Sequence, residues 1–302
     1  MKINKTEIVD TFAEAFEMCG ARVIITADTK QWARAAAASM TGFATSVIRC
    51  KLEAAVECEI PEEDTPDRRP GISVLLFTMS NKTIAGQLID RIGQCVMTCP
   101  TTACYNGLES DNKVIVGGKL RYFGDSYQIS KLIDGRKLWR IPVMEGEFLI
   151  DESFGIQPAV GGGNLIIFGV SKNIALRAAI AAANAMREVA GIFLPFPQGV
   201  VRSGSKIGAR YKKLIASTND AYCPTLRSIS SNTVVPDKVE AIYEIVADGL
   251  DEDAVKEAMR RGIHAAADKG AMLITAGNYG GKLGKYNFHL HELAKSNKNK
   301  RI

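Results

Sequence analysis

Between Pro195 and Asp220 five cations, Arg202, Lys206, Arg210, Lys212 and Lys213, stand among the hydroxyls of Ser203 and Ser205 and the glycines Gly199, Gly204 and Gly208. Two prolines, Pro195 and Pro197, stiffen the entry to this stretch, since proline fixes φ and carries no N–H. Glycine frees the backbone for close approach, and clustered donors with positive charge suit an elongated anionic ligand. A solvated basic surface loop is the plainer reading of the same residues. A second candidate is a single carboxylate. Glu244 falls mid-strand in Ile242-Tyr-Glu-Ile-Val246, where alternation sets it on one face with Ile242 and Val246. Among apolar neighbours a carboxylate is costly unless partnered, and its pKa is expected to rise. A charge on an open sheet face is the alternative.

Other chemistry is poorly supported. Gly161-Gly-Gly163 lacks the third glycine of a dinucleotide turn and precedes a strand. Neither the basic loop nor Gly280-Gly-Lys-Leu-Gly-Lys285 matches a phosphate-binding P-loop. Cys95, Cys99 and Cys104 have the wrong spacing for zinc or an iron–sulfur cluster, and His289 and His291 lack an evident third ligand. The 302 residues are 46% hydrophobic and 24% charged, as in an ordinary globular protein. A net charge of +5 favours acidic small molecules at least as much as nucleic acid. Seven cysteines, an odd number, argue against a disulfide framework, so a cytoplasmic setting is expected. No apolar run reaches the ~18 residues of a membrane helix, and no signal segment is read at the N-terminus. The tail from Lys295 to Arg301 is read as frayed, not as a site.

The elements that must position these groups follow from periodicity. Arg22–Ala27 reads as a strand, Asp28-Thr29 as the cap of an Ala-rich helix to Met40, and Gly42 as its end. Ala44–Ile48 is expected to be a strand, 53–70 a loop, and Ile72–Phe77 a strand. Asn81 begins a helix with Ile84, Leu88, Ile92, Cys95 and Val96 on one face. From Lys113 to Ile150 the pattern is of hairpins, including Lys119–Phe123, with no helix signal. Asn164–Phe168, Ser171-Lys172 and an Ala-rich helix ending at Gly191 then retrace the first strand and helix. Val239–Val246 and the helix capped by Asp251 retrace the Ile72 strand and its helix, and Met272–Thr275 closes the pattern. The expected fold is thus α/β, an α+β sandwich of two similar ferredoxin-like (split βαβ) lobes with a β-hairpin insertion. The expected boundaries are 1–150, including an insertion at 108–150, and 151–302, which carries the basic loop at 195–220.

Several short motifs then resemble one family when taken in order. They are Thr11–Phe16, Arg91–Cys95 with Pro100–Ala103, Tyr122–Asp125, Pro195–Pro197 with Ser203–Lys206, Ala216–Asn219 with Cys223–Thr225, Tyr243–Val246, and Ala276–Gly284. Together, over nearly the whole chain, they resemble formylmethanofuran:tetrahydromethanopterin formyltransferase. The resemblance implies reversible formyl transfer from formylmethanofuran to N5 of tetrahydromethanopterin in archaeal one-carbon metabolism, in methanogenesis or its reverse. It implies these two carriers as substrates, no tightly bound cofactor or metal, and a homotetramer without nucleic-acid or membrane partners. Carboxylates on both carriers, and a phosphate on the pterin carrier, would give the basic loop its role. The residues it implies for substrate binding are Pro195, Phe196, Pro197, Gly199, Ser203, Gly204, Ser205, Lys206, Thr101, Thr102, Asn278, Tyr279, Gly280 and Gly281. Glu244 matches a buried glutamate of the substrate cleft and is implied as the proton carrier. Arg68 and Gln198 stand where the family pattern leads one to expect glycine. Two alternatives are a formyltransferase subunit of a bacterial formyltransferase/hydrolase complex using a dephosphorylated pterin, and, remotely, an RNA-binding protein on the same kind of sheet.

Overall fold

The computed structural model describes residues 1–133 and 135–295. Of the basic tail only Lys295 falls within them. Packing divides the chain into two units, one of Met1–Phe16 with the chain from Val160 on, the other Glu17–Ala159. The first sixteen residues pack with the C-terminal lobe through strand pairing. Thr6–Ile8 runs parallel to Leu273–Thr275, and Phe12–Ala15 pairs antiparallel with Tyr286–His289.

In the lobe of residues 17–159 the strands are β1 (Phe12–Thr26, which begins in the other lobe), β2 (Glu53–Ile60), β3 (Gly71–Thr78) and β4 (Ala103–Asn106). Their antiparallel order is β4-β1-β3-β2, that of a split βαβ sheet. Helices α1 (Lys30–Thr41) and α2 (Asn81–Arg91) are capped by Thr29 and Ser80, whose side chains accept the N–H of Trp32 and Thr83. The insertion forms a hairpin of β5 (Arg136–Val143) and β6 (Gly146–Asp151), which joins β4 in parallel through Ile150 and Cys104.

The other lobe repeats the plan. Its strands are β7 (Gln157–Gly169, in this lobe from Val160), β8 (Ile192–Phe193), β9 (Ser205–Ile207), β10 (Ala216–Thr218), β11 (Ala241–Gly249) and β12 (Leu273–Thr275). The main sheet runs β12-β7-β11-β8, all antiparallel, and β9 with β10 makes a separate two-stranded ribbon. Helices α3 (Lys172–Arg187) and α4 (Glu252–Asp268) are capped by Ser171 and Asp251 and cover one face of the sheet. Their seam is built of small residues: Ala175, Ala178, Ala179, Ala182 and Ala183 on α3, and Ala258, Gly262 and Ala266 on α4, all buried. A Cβ at Gly262 would lie 2.8 Å from Met186 Sδ, so the missing side chain makes room for the Met186 thioether between the helices.

Several expected elements differ. Ala44–Ile48 is not a strand: Ser46 caps a single helical turn, Val47–Cys50. Residues 53–60 are a strand despite their acids, because Glu57 is neutralised by Arg22 of β1 and accepts the Ser73 hydroxyl of β3. Lys119–Phe123 is helical turn, Gly117–Leu120 running into Arg121–Gly124, since Gly117 and Gly118 lie against the backbone of Asp151 and the side chain of Glu152 with no room for a Cβ. Gly42 does follow α1, but in an extended conformation at φ −60°. The left-handed residue is Phe43, and the Arg91 guanidinium caps the carbonyls of Met40 and Gly42.

Candidate active site

The face of the C-terminal lobe's sheet opposite α3 and α4, partly covered by Tyr222, Val235 and Val239, forms the floor of a cleft of 480 Å³. Alternation along β11 sorts its side chains. Tyr243, Ile245 and Ala247 join the helical core, whereas Ile242, Glu244 and Val246 line the cleft, together with Asn164 and Ile166 of β7. Ile166 stands directly across the ladder from Glu244. On the other flank Val201 exchanges two backbone hydrogen bonds with Glu244, at 2.7 and 3.1 Å. The carboxylate is therefore fenced by four aliphatic side chains, and it has no hydrogen-bond or ion-pair partner among the described residues. Burial pushes its pKa from the ordinary carboxylate range up to about 7. The phenols of Tyr222 and Tyr279 are raised as well, first by burial and then by the nearby charge of Glu244.

The basic stretch builds the cleft's wall, but its cations are not equivalent. Lys206 is paired with Asp220, whose other oxygen accepts the Ser230 hydroxyl at 2.9 Å. Hydrogen bonds from Lys206 and then Ser230 hold the Asp220 carboxyl below its ordinary range. Arg202 also lines the cleft, is exposed, and has no such partner among the described residues. Sequence reasoning named Arg202 within the basic loop yet left it out of the site. Arg210, Lys212 and Lys213 sit at the solvent-exposed tip of the β9–β10 ribbon and do not line the cleft.

Of the residues singled out from sequence, Ser203, Gly204, Ser205, Lys206, Glu244, Asn278 and Tyr279 line this one cleft. Gly280 and Gly281 continue the Tyr279 loop without lining it. Pro195, Phe196, Pro197 and Gly199 form the approach to Val201 and do not line it either. There Gln198 (φ +52°) and Gly199 (φ +72°) are both left-handed, and a Cβ at Gly199 would meet Leu194 at 2.5 Å. Arg68, the other position where glycine is expected, is left-handed too, at φ +60°. Thr101 and Thr102 belong to the N-terminal lobe, where they line a separate cavity of 320 Å³ with Arg69, Asp67 and Glu145. Thr102 is tied to the carbonyls of Val96 and Cys99, and Thr101 is left-handed at φ +63°. Unforeseen cleft residues include Glu14, Asn164, Asn219, Tyr222 and Cys223. Asn219 and Cys223 ended and began motifs already singled out, so that adjacency was the available signal.

An ionisable group balanced near neutrality at an open cleft can take up and release a proton at ordinary pH. Arg202, unpaired among the described residues, and the glycine-freed backbone suit an anionic substrate. His291 is engaged by the Ile8 carbonyl and the N-terminal amine, and no group of three His, Cys, Asp or Glu among the described residues could hold a metal ion.

Comparison with known proteins covers nearly the whole chain. Residues 1–143 match the family described as formylmethanofuran-tetrahydromethanopterin formyltransferase, and residues 146–293 match that family's proximal lobe. The formylmethanofuran–tetrahydromethanopterin formyltransferase of Methylobacillus flagellatus is 52% identical over 97% of this chain and 99% of that protein. The Methanopyrus kandleri enzyme of the same name is 50% identical over 97% of this chain and all of its own. Among solved structures, the Methanosarcina barkeri formyltransferase superposes with a TM-score of 0.92 at 50% identity, covering 97% of this chain and 100% of that one. The formyltransferase/hydrolase complex of Methylorubrum extorquens, solved with methylofuran, contains a chain that superposes at 0.94 with 46% identity, covering 97% and 98%.

Proposed function

The chain belongs to the formylmethanofuran–tetrahydromethanopterin formyltransferase family, and we propose that the Glu244 carboxyl carries the proton of its formyl transfer. The enzyme is an acyltransferase, and its substrates are the two one-carbon carriers that give the family its name. Attack of the pterin N5 on the formyl carbon forms the new C–N bond and a tetrahedral oxyanion. Collapse of that oxyanion breaks the old C–N bond, and the departing amine must gain the proton that the attacking amine loses. Glu244 accepts the first proton and returns it to the leaving nitrogen, so its own ionisation is restored each turnover. A pKa of about 7 keeps both the proton-accepting and the proton-donating form populated near neutral pH, which is where general acid–base catalysis is most effective. Holding both carriers in one cleft supplies proximity, and donors aimed at the oxyanion contribute about 3 kcal/mol where they are well placed. Arg202, Ser203 and the glycine-rich backbone beside them take the substrates' anionic groups.

The observation that carries this reading is the unpartnered Glu244 carboxyl on the cleft floor. Glu244→Gln keeps the shape and cannot exchange a proton. With both carriers saturating, its kcat is expected to fall at least about a hundredfold while KM changes little. Retention of most of the wild-type kcat would remove Glu244 from the role.

We further propose a homotetramer in the cytoplasm, working without a partner chain. The rival is the arrangement in Methylorubrum extorquens, where the 46%-identical relative is one of the subunits of a formyltransferase/hydrolase complex. The mass of the native particle purified from its own cells separates the two: a multiple of 32.7 kDa supports the homo-oligomer, and additional chains support the complex.

A further inference from the structure

Glu14 is a second carboxylate on the cleft and differs from Glu244 in every respect. It is 1% exposed, although a charge is seldom buried at such depth without strong compensation. Its compensation is backbone. Oε2 accepts the N–H groups of Tyr279 and Gly281 at 2.6 and 2.9 Å, and Oε1 accepts those of Leu283 and Gly284 at 2.6 and 2.5 Å. Burial alone would raise its pKa, yet these four donors overcome that and bring it to about 2. Backbone amides converging on one carboxylate form the kind of nest that elsewhere holds an anionic ligand. Here the chain's own side chain fills it, and the loop 279–284 is wrapped around Glu14.

The wrapping demands glycine. Gly280 and Gly281 are left-handed, at φ +73° and +69°. A Cβ at Gly284 would fall 2.5 Å from the Ala15 carbonyl oxygen, so the loop lies flat on the strand that bears Glu14. The start of the loop is pinned separately: Asn164 donates to the Gly277 carbonyl and accepts its N–H, at 3.1 and 2.6 Å. Between these two anchors stands Tyr279. Its ring packs on Phe16 with centroids 6.1 Å apart, lines the cleft, and lies close enough for the charge of Glu244 to act on its phenol. The backbone N–H of Tyr279 itself goes to Glu14, while its neighbour Asn278 donates to the Thr11 hydroxyl and the Phe12 carbonyl and accepts the Gly280 N–H.

We propose that Glu14 is a positioning residue, which sets the Tyr279 wall of the cleft against Glu244 by gathering four loop amides. The proposal rests on the cleft being the site of formyl transfer. Both Glu14 oxygens are taken up by the loop amides, so it acts through Tyr279. A negative charge is required as well as a shape, since glutamine offers one acceptor oxygen and would turn an amide group toward two of the four donors.

The test compares Glu14→Gln, Tyr279→Ala and the double variant in formyl transfer, each confirmed folded by circular dichroism. Glu14→Gln and Tyr279→Ala should each lower kcat/KM at least tenfold. The double variant should be no worse than about the weaker single one, because both remove the same wall. Effects that simply multiply, or a Glu14→Gln enzyme within twofold of wild type, overturn the proposal. Failure of the cleft reading shows itself separately, as undiminished kcat in Glu244→Gln. Should Glu14→Gln not fold, amide exchange in the unmodified enzyme decides. The N–H groups of Tyr279, Gly281, Leu283 and Gly284 should exchange at least tenfold more slowly than that of Lys282, and equal rates overturn the assignment.

Discussion

In the proposed role, Glu244 is balanced between stability and chemistry. The unfolded chain ionises this group at about 4.5, and the folded one at about 7. Below pH 4.5 both states carry the proton and the group costs nothing. As pH rises toward 7 the unfolded state loses its proton first, so stability falls and then stays low, by at most about 3 kcal/mol. Glu244→Gln is therefore expected to unfold at higher urea than wild type at pH 8, with the difference gone at pH 4. The same variant is thus expected to gain stability at the pH where the proposed role predicts that it loses activity, a trade between stability and function. Equal midpoints at both pH values would mean that the carboxylate has a partner in solution. The cations make a second residue-level case. Arg202→Ala removes free positive charge and should raise KM for the anionic carriers about tenfold with kcat little changed. Lys206→Ala acts differently, because it leaves the Asp220 carboxylate with the Ser230 hydroxyl and without its cation. Its raised KM should return toward wild type when Asp220→Asn is added, a rescue that Arg202→Ala should not show.

Elements were legible wherever a local signal set them. Thr29, Ser80, Ser171 and Asp251 each cap a helix, and Thr29, Ser171 and Asp251 were readable in advance as short polar side chains before an alanine-rich or amphipathic run. Strand alternation placed Glu244 on the right face. What stayed hidden was decided by distant partners. Glu53–Ile60 looked like acidic loop because its charge is cancelled by Arg22, 35 residues away. Glu14 looked unremarkable within Thr11–Phe16 because the four amides that define it come from a loop more than 260 residues later. Glycines mark where elements touch. At the β7–α3 junction a Cβ on Gly169 would lie 2.5 Å from the Ala175 backbone nitrogen, and no rotamer change can relieve a clash with backbone. Gly169→Ala should therefore cost about 2–3 kcal/mol of stability in urea unfolding. A loss under 0.5 kcal/mol would mean that strand and helix can slide apart.

At the scale of the whole molecule the two lobes share a plan and differ in what they place at equivalent positions. Glu244 lies opposite Ile166 in the ladder, five residues before the Ser171 cap, and is itself seven residues before the Asp251 cap. The same offsets in the N-terminal lobe, from Thr29 and Ser80, lead to Ile24 and its ladder partner Ser73. Ser73 is buried at 2% exposure and donates to Glu57 at 2.6 Å, within a network that Arg22 neutralises. One lobe thus fills the position with a satisfied hydrogen bond, and the other places there a carboxyl without a partner among the described residues. Satisfied buried polar groups stabilise, whereas an unpartnered one is tolerated where it does chemistry. Opposite outcomes follow for the two equivalent sites. Ser73→Ala should lower stability by about 1–2 kcal/mol, through the hydrogen bond lost to buried Glu57, and leave kcat within twofold of wild type. Glu244→Gln should do the reverse at pH 8. Urea unfolding and formyl-transfer rates measured on the same preparations test both at once. A Ser73→Ala enzyme with normal stability and impaired kcat would show that the N-terminal lobe takes part in the chemistry through this position, and that the division between the lobes has been drawn in the wrong place.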